Sequence, residues 1–181
     1  MFKRRGFNVF LDLKFHDIPH QVEGAAASAV LSGADMLTMH AVGGSAMMAA
    51  GHRGAEAAAF ERKVPVPATL AITVLTSMDA ESLAATGVSR ALPEQVSSLA
   101  VQARKAGLSG IVCSPQEASS MRELLGPDAF IVTPGVRPAG SAKGDQSRVA
   151  TPAQAFENGA SHIVVGRPIT QAVDPVAAFE A

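Results

Sequence analysis

The stretch VFLDLKFHDIP, residues 9–19, joins an apolar run that predicts a buried strand to three charged side chains within six residues. Side chains alternate between the two faces of a strand, so Asp12 and Lys14 are predicted to share a face. Asp17 follows just past the strand, before the Ile-Pro pair that opens a helix. Buried charges are costly unless paired, so the triplet predicts either an ion pair with Asp17 as a helix cap, or a functional site.

The chemistry that suits this triplet is proton donation. Opposite charges nearby favour the charged form of a lysine, so Lys14 between carboxylates is predicted to be a proton donor held in place and not a Schiff-base nucleophile. Carboxylates close to a bound anionic group would also repel that group. The arrangement therefore favours a reaction that expels a carboxylate as CO2 and protonates the carbanion left behind.

Outward from this stretch, strand-like and helix-like segments alternate along the chain, which predicts parallel strands, right-handed crossovers and the α/β class. The predicted strands are residues 8–14, 35–40, 69–75, 110–114, 130–134 and 162–166. The predicted helices are residues 19–32, 45–62, 93–106, 116–125, 152–158 and 174–180. Four strands, VFLDL, AITVL, GIVCS and HIVVG, are nearly continuous in apolar character, which predicts that both of their faces are covered.

Two architectures fit this alternation, an open doubly wound sheet and a closed (β/α)8 barrel. Six strands are enough for the first and two short of the second. An open sheet concentrates its ligand groups at one switch point, whereas a barrel collects them from a ring of strand ends, and here polar residues end almost every predicted strand. These residues are Asp12, Lys14, His40, Thr76, Ser77, Ser114, Thr133, Arg137, Gly166 and Arg167. The polar residues favour the barrel.

Composition limits the classes of function. At 181 residues, 48% apolar and 17% charged, the chain fits a single domain over residues 1–181. A formal net charge of −1 offers no electrostatic case for nucleic acid or an anionic membrane as partner. The single cysteine, Cys113, excludes an internal disulfide and favours a reducing compartment, so we expect the cytoplasm. No apolar segment is long enough to span a bilayer.

The segment IVVGRPIT, residues 163–170, predicts a phosphate site. Its glycine lies at a strand end where a ligand can approach the backbone, and Arg167 follows. Barrels commonly bind phosphate after their last two strands, through backbone N–H groups and a helix N-terminus. Arg137 ends the preceding strand, and Gln146 lies in a polar loop that could close over the ligand. The alternative is an ordinary strand-to-helix turn.

Four segments together resemble orotidine 5'-phosphate decarboxylase of the bacterial kind. They are DLKFHDIP at residues 12–19, VLTSM at 74–78, VTPGVRP with GDQ at 132–138 and 144–146, and VVGRPIT at 164–170. The resemblance covers essentially the whole chain, in order and with compatible spacing. It implies a cofactor-free decarboxylation of orotidine 5'-monophosphate (OMP) to UMP in pyrimidine biosynthesis, in a barrel that works as a homodimer and uses no metal.

The resemblance also implies roles for individual residues. Lys14 matches the proton donor to C6 of the pyrimidine, and Asp12 the carboxylate beside it. Asp17 matches the carboxylate that the family supplies to the partner subunit's site. The remaining substrate contacts implied by the motifs are Ile18, Gln21, Thr76, Ser77, Arg137, Gln146, Gly166 and Arg167.

This chain departs from the family pattern in two places. His20-Gln21 stands where the family often has Asn-Thr, so the ribose contact expected there would fall to Gln21. The family also has two βα units ahead of DLKFHDIP, which carry a substrate-binding aspartate and a lysine of the charged network. We therefore expect an incomplete barrel with about six of the eight βα units, exposed strand edges and impaired activity.

Other functions remain open on these residues. A sugar-phosphate decarboxylase or aldolase of the same superfamily uses a similar Asp-x-Lys-x-x-Asp strand with magnesium, although the Ile-Pro sequel, VLTSM and GDQ favour the pyrimidine enzyme. A non-catalytic phosphate-ligand binder, or an inert remnant, belongs to a different class. His16 and His20 lack the companions of a metal site, whereas His40 is predicted to line the pocket.

Overall fold

The computed structural model describes residues 2–137 and 150–180, and strands and helices alternate in it as the sequence predicts. The strands are β1 Phe10–Phe15, β2 Met36–His40, β3 Ala68–Ile72, β4 Gly110–Val112, β5 Phe130–Thr133 and β6 His162–Ile163. The helices are α1 Pro19–Leu31, α2 Ser45–Arg62, α3 Ala80–Ala85, α4 Leu92–Lys105, α5 Ala118–Leu125, α6 Pro152–Glu157, α7 Arg167–Thr170 and α8 Pro175–Glu180. Short 3₁₀ turns cover Lys3–Arg5 and Ala41–Gly43.

The order of the strands decides between the two predicted architectures. The strands hydrogen-bond in chain order from β1 to β6, and the registers of β1 with β2, β2 with β3, and β5 with β6 are parallel. A doubly wound sheet reverses its strand order at a switch point, and this sheet has no such reversal. The chain is therefore α/β, and its described residues form six strands in the order of a (β/α)8 barrel.

The chain forms two compact units. The first comprises Met1–Thr73 with Val96–Ile111, and the second comprises Val74–Gln95 with Val112–Ala181. Strand β4 contributes to both. In the first unit the Ser109 N–H donates to the Thr69 carbonyl at 2.9 Å, and in the second the Cys113 N–H donates to the Val132 carbonyl at 3.1 Å.

Burial of the strands confirms the prediction for the inner strands and corrects it for the outer two. Strands β3 and β4 are almost wholly buried, as continuous apolar runs require. Strand β1 is only half-buried, with Leu13 60% exposed, and β6 is partly exposed as well. The reason is position, because β1 and β6 end the strand order and each has one neighbouring strand among the described residues.

The helix ends follow the signals in the sequence. Thr151 caps α6 with a full capping box, in which its hydroxyl accepts from the Gln154 N–H and the Gln154 side chain accepts from the Thr151 N–H.

Helices α3 and α7 were not predicted, and they have only six and four residues. The predicted strand at residues 69–75 ends at Ile72, because the chain turns there toward α3. No helix among the described residues is long and apolar enough to cross a membrane.

Helices α1 and α2 pack closely in the first unit because α2 presents glycine to α1. Gly54 is buried, and a Cβ at that position would overlap the backbone carbonyl of Glu23 on α1. A backbone group cannot rotate away as a side chain can. The packing of the two helices therefore depends on the absence of a side chain at Gly54.

We expect Gly54→Ala to lower the free energy of unfolding by about 1–3 kcal/mol, the usual cost of forcing extra atoms into a packed interface. Gly24→Ala is the matched control, because Gly24 is exposed on α1 and a Cβ there would meet no atom within 4 Å. That change should raise stability by up to about 1 kcal/mol, since alanine is the better helix former. Urea denaturation followed by circular dichroism measures the free energy of unfolding of both variants. Equal changes in the two variants would contradict the packing argument.

Candidate functional site

The first unit holds an ion pair at the C-terminal end of β1. Lys14 Nζ lies 2.5 Å from Asp12 Oδ2, and the two side chains are 39% and 41% exposed. The two side chains form the ion pair that the sequence suggests. The pair is not buried as predicted, because β1 ends the strand order of the described residues. An ammonium held in contact with a carboxylate and open to a ligand can act as a positioned acid.

Regular strand alternation is not what brings the pair together. Lys14 has a φ of 55°, in the left-handed region, and within the described residues Lys63 is the only other non-glycine with positive φ. Lys63 is the C-cap of α2, where this conformation is ordinary. Inside a strand it costs about 1–2 kcal/mol for a residue with a Cβ, so contacts must hold Lys14 there.

Those contacts come from Thr38 on the neighbouring strand. Its Oγ1 accepts the Lys14 N–H at 3.0 Å and donates to Asp12 Oδ1 at 2.8 Å. Thr38 is fully buried. Sequence reasoning did not single out this residue, although a hydroxyl in the middle of the apolar run MLTMH was a visible signal.

Asp17, Ile18 and Gln21 lie beyond β1 and are all exposed. The Ile18 N–H donates to Asp17 Oδ1 at 2.6 Å, and Ile18, not Asp17, is the N-cap of α1. The alternative interpretation of Asp17 as the helix cap is therefore wrong. Within residues 2–137 and 150–180 no ion pair joins Asp17 to Lys14, so the structure brings only Asp12 to the lysine.

His40 ends β2 beside the charged pair. Its ring centroid lies 5.5 Å from that of His16, and the ring is partly buried. Burial lowers the pKa of His40 below its usual range, and the neighbouring His16 and Lys14 lower it further, while Asp12 opposes them. His40 is therefore neutral at neutral pH, and it lies close enough to Lys14 and Asp12 to feel their charges.

In the second unit, Thr76 and Ser77 lie in the turn between β3 and α3. Thr76 is buried, and Ser77 is exposed. The turn ends at Asp79, whose carboxylate caps α3 by accepting the Ser82 N–H at 2.8 Å. This hydrogen bond lowers the pKa of Asp79. A buried threonine beside an exposed serine gives this turn hydroxyl groups that can hydrogen-bond to a polar ligand.

The two predicted phosphate arginines follow neighbouring strands at the same offset. Thr133 on β5 pairs in register with Ile163 on β6, and Arg137 and Arg167 each lie four residues beyond the paired residue. Arg137 is 9% exposed and donates from its guanidinium to the Val136 carbonyl at 2.8 Å. Arg167 is exposed.

Gly166 is the N-cap of α7, and its carbonyl accepts the Thr170 N–H at 3.0 Å. Because α7 has four residues, a helix dipole adds little there. Gln146 lies outside the described residues, as does most of its loop. The described ends of that loop meet, since the Arg137 N–H donates to the Ala150 carbonyl at 2.9 Å.

Among the described residues, no group of three or more His, Cys, Asp or Glu side chains is placed to hold a metal ion. His16 and His40 contact each other as rings, and His20 is exposed in the first turn of α1.

Comparison with known proteins gives a consistent result over the whole chain. The sequence profile described as "Orotidine 5'-phosphate decarboxylase / HUMPS family" matches residues 1–181. An orotidine 5'-phosphate decarboxylase of Moorella thermoacetica is 55% identical over 184 residues, which cover 100% of this chain and 72% of the relative. One from Vibrio cholerae is 48% identical over 177 residues, which cover 98% of this chain and 75% of the relative.

Solved structures agree with the sequence matches. The crystal structure of orotidine 5'-phosphate decarboxylase from Lactobacillus acidophilus superposes with a TM-score of 0.84 at 41% identity, and the match covers 98% of this chain and 75% of that one. An uncharacterized conserved protein from Geobacillus kaustophilus gives a TM-score of 0.83 at 36% identity, with the same coverage.

Proposed function

The chain belongs to the orotidine 5'-phosphate decarboxylase / HUMPS family, and we propose that it is a carboxy-lyase that converts OMP to UMP without a cofactor, in pyrimidine biosynthesis. The observation that carries the proposal is the Asp12–Lys14 pair, with its nitrogen-to-oxygen distance of 2.5 Å. This pair sets an acid beside a fixed negative charge, which is what decarboxylation followed by protonation requires.

The proposed reaction assigns a step to each member of the pair. The bond between C6 and the carboxylate of OMP breaks, CO2 leaves, and the electron pair stays on C6. The Lys14 ammonium then transfers a proton to C6, which gives UMP. Asp12 repels the departing carboxylate in the ground state and holds the Lys14 ammonium in place through its Oδ2.

The other substrate contacts are proposed from the family motifs and from what surrounds each residue. Thr76 and Ser77 supply hydroxyls to the pyrimidine. Arg137 and Arg167 supply guanidinium groups to the phosphate, which they can bind through paired N–H donors. Their equal offset beyond paired positions on β5 and β6 supports this role. Gly166 and Gln146 complete the phosphate contacts, and Ile18 and Gln21 complete those at the start of α1.

We propose that the enzyme works as a homodimer in which Asp17 enters the partner subunit's site. Asp17 and Ile18 are exposed, and among the described residues the Asp17 carboxylate accepts a hydrogen bond only from the adjacent Ile18 N–H.

Residues 1–181 are proposed to form one domain, because each compact unit combines two separate stretches of the chain. A cytoplasmic location is proposed because the chain has a single cysteine and so cannot form an internal disulfide.

An assay of the full-length gene product tests the function directly. Following the ultraviolet absorbance of OMP, we expect conversion to UMP at a rate unchanged by EDTA. If EDTA abolished turnover, the magnesium-dependent sugar-phosphate decarboxylase would replace this proposal. UMP binding measured by calorimetry without any turnover of OMP would instead indicate a non-catalytic binder.

A further inference from the structure

The region opposite Thr38 is a bulge in β1. Leu11 pairs with Leu37, and Phe15 pairs with Met39, with a register shift between these positions. Residues 12–14 of β1 therefore face a single residue of β2, which is Thr38. A bulge redirects side chains at a strand end, and it must be held by the neighbouring strand to keep one geometry.

One hydroxyl holds this bulge at both ends. The Asp12 carboxylate has no proton to give when it is charged, so the Thr38 hydroxyl must donate to it. A lone pair of the same oxygen then accepts the Lys14 N–H. The second carboxylate oxygen of Asp12 accepts from Lys14 Nζ, so the three residues form a closed ring of hydrogen bonds.

The ring has one immobile member. Thr38 is fully buried between its strand neighbours, whereas the Asp12 and Lys14 side chains are exposed by about two-fifths. Long exposed side chains exchange between rotamers unless a rigid group orients them. Thr38 fixes the backbone that carries the lysine and the carboxylate that holds the ammonium.

We propose that Thr38 is a positioning residue for decarboxylation, which sets the direction of the Lys14 ammonium and the Asp12 carboxylate without touching the substrate. This inference rests on the proposed function of that pair. The simpler alternative is that Thr38 only satisfies its own buried hydroxyl, in which case its loss would weaken folding and leave the chemistry alone.

Three variants separate these roles in the full-length gene product. Thr38→Val removes the hydroxyl and keeps the shape, and Thr38→Ser keeps the hydroxyl. Thr69→Val is the matched control, because Thr69 is also fully buried, lies on the adjacent strand β3, and is hydrogen-bonded to His52 Nδ1 at 2.9 Å. Thermal melting of all three is measured beside OMP turnover.

We expect Thr38→Val to lower kcat about 10- to 100-fold while KM changes less than about threefold, because a displacement near 1 Å of a reacting group has effects of this order. Thr38→Ser and Thr69→Val should stay within about threefold of the parent kcat. Hydrogen exchange gives a readout independent of activity. The Lys14 amide should exchange faster in Thr38→Val, which removes its acceptor, and at the parent rate in the other two.

Two outcomes would overturn the inference. Either Thr38→Val matches Thr69→Val in kcat, or the Lys14 amide loses protection with no change in kcat. Failure of the proposed function is distinct, because it appears as a parent protein that does not convert OMP, before any variant is compared. If Thr38→Val did not fold, Thr38→Cys, which differs from Thr38→Ser by having a weaker donor, should have a lower kcat than Thr38→Ser.

Discussion

Replacement of Lys14 by methionine is expected to lower kcat for OMP by at least about a hundredfold, because removing a general acid typically costs 10²- to 10⁴-fold. Methionine keeps the length and apolar stem of the side chain and removes the ammonium that now bonds to Asp12 Oδ2. The backbone bond from the Lys14 N–H to Thr38 is unaffected by the change. The fold should therefore survive, and the loss should lie in the chemical step.

Steady-state kinetics of the full-length gene product measure this effect. Lys105→Met, an exposed position in the last turn of α4, is the control and should leave kcat within about twofold, as surface substitutions generally do. Melting temperatures of both variants show whether the fold is intact. Undiminished UMP formation by the folded Lys14→Met variant would remove the basis of the proposed mechanism.

The largest loss of stability is expected at Arg122 on α5. Its guanidinium donates to the carbonyls of Gly126, Pro127 and Ala129 at 2.7–2.8 Å, and to the Gly159 carbonyl at 3.0 and 3.1 Å. One side chain thus joins the loop after α5 to the end of α6 within the second unit.

We expect Arg122→Met to lower the free energy of unfolding by about 3–4 kcal/mol, at about 1 kcal/mol or more for each partly buried carbonyl left without a donor. Arg122→Lys should lose less, because an ammonium can still bond to one or two of these carbonyls. Arg62→Met, at the exposed end of α2, should cost less than about 1 kcal/mol. Denaturant unfolding compares the three, and equal losses at Arg122 and Arg62 would refute this account.

Sequence patterns within each segment were enough to predict most of the helices and strands. The helix predicted at residues 45–62 has these bounds in the structure, because α2 is alanine-rich and lies between Gly44 and a residue that turns left-handed at its end. The two short helices α3 and α7 were missed, since four to six residues carry too little periodicity to be recognised. Apolar composition predicted burial for β1 and β6 as for β3. Composition does not tell an outer strand from an inner one.

The site residues show the same difference between what local sequence predicts and what tertiary contacts decide. The sequence suggested that Asp12 and Lys14 form a pair, and they do so in the structure. The phosphate role of Arg137 and Arg167 stays a prediction from their positions after strands. Asp17 was predicted as the third charged residue and, from the resemblance, for the partner subunit's site; within the described residues it forms no ion pair with Lys14. Thr38 was missed because its importance comes from hydrogen bonds and not from its own chemistry.

The sequence by itself determined the α/β class, the succession of elements, and which charged and polar groups stand at the strand ends. All of these depend on residues close to one another along the chain. Only the tertiary structure decided that the strands pair in chain order, that β1 ends the strand order of the described residues, and that Lys14 takes a left-handed backbone. The physical reason is distance along the chain, because the hydrogen bonds that hold the Asp12–Lys14 pair come from Thr38, 24 to 26 residues away.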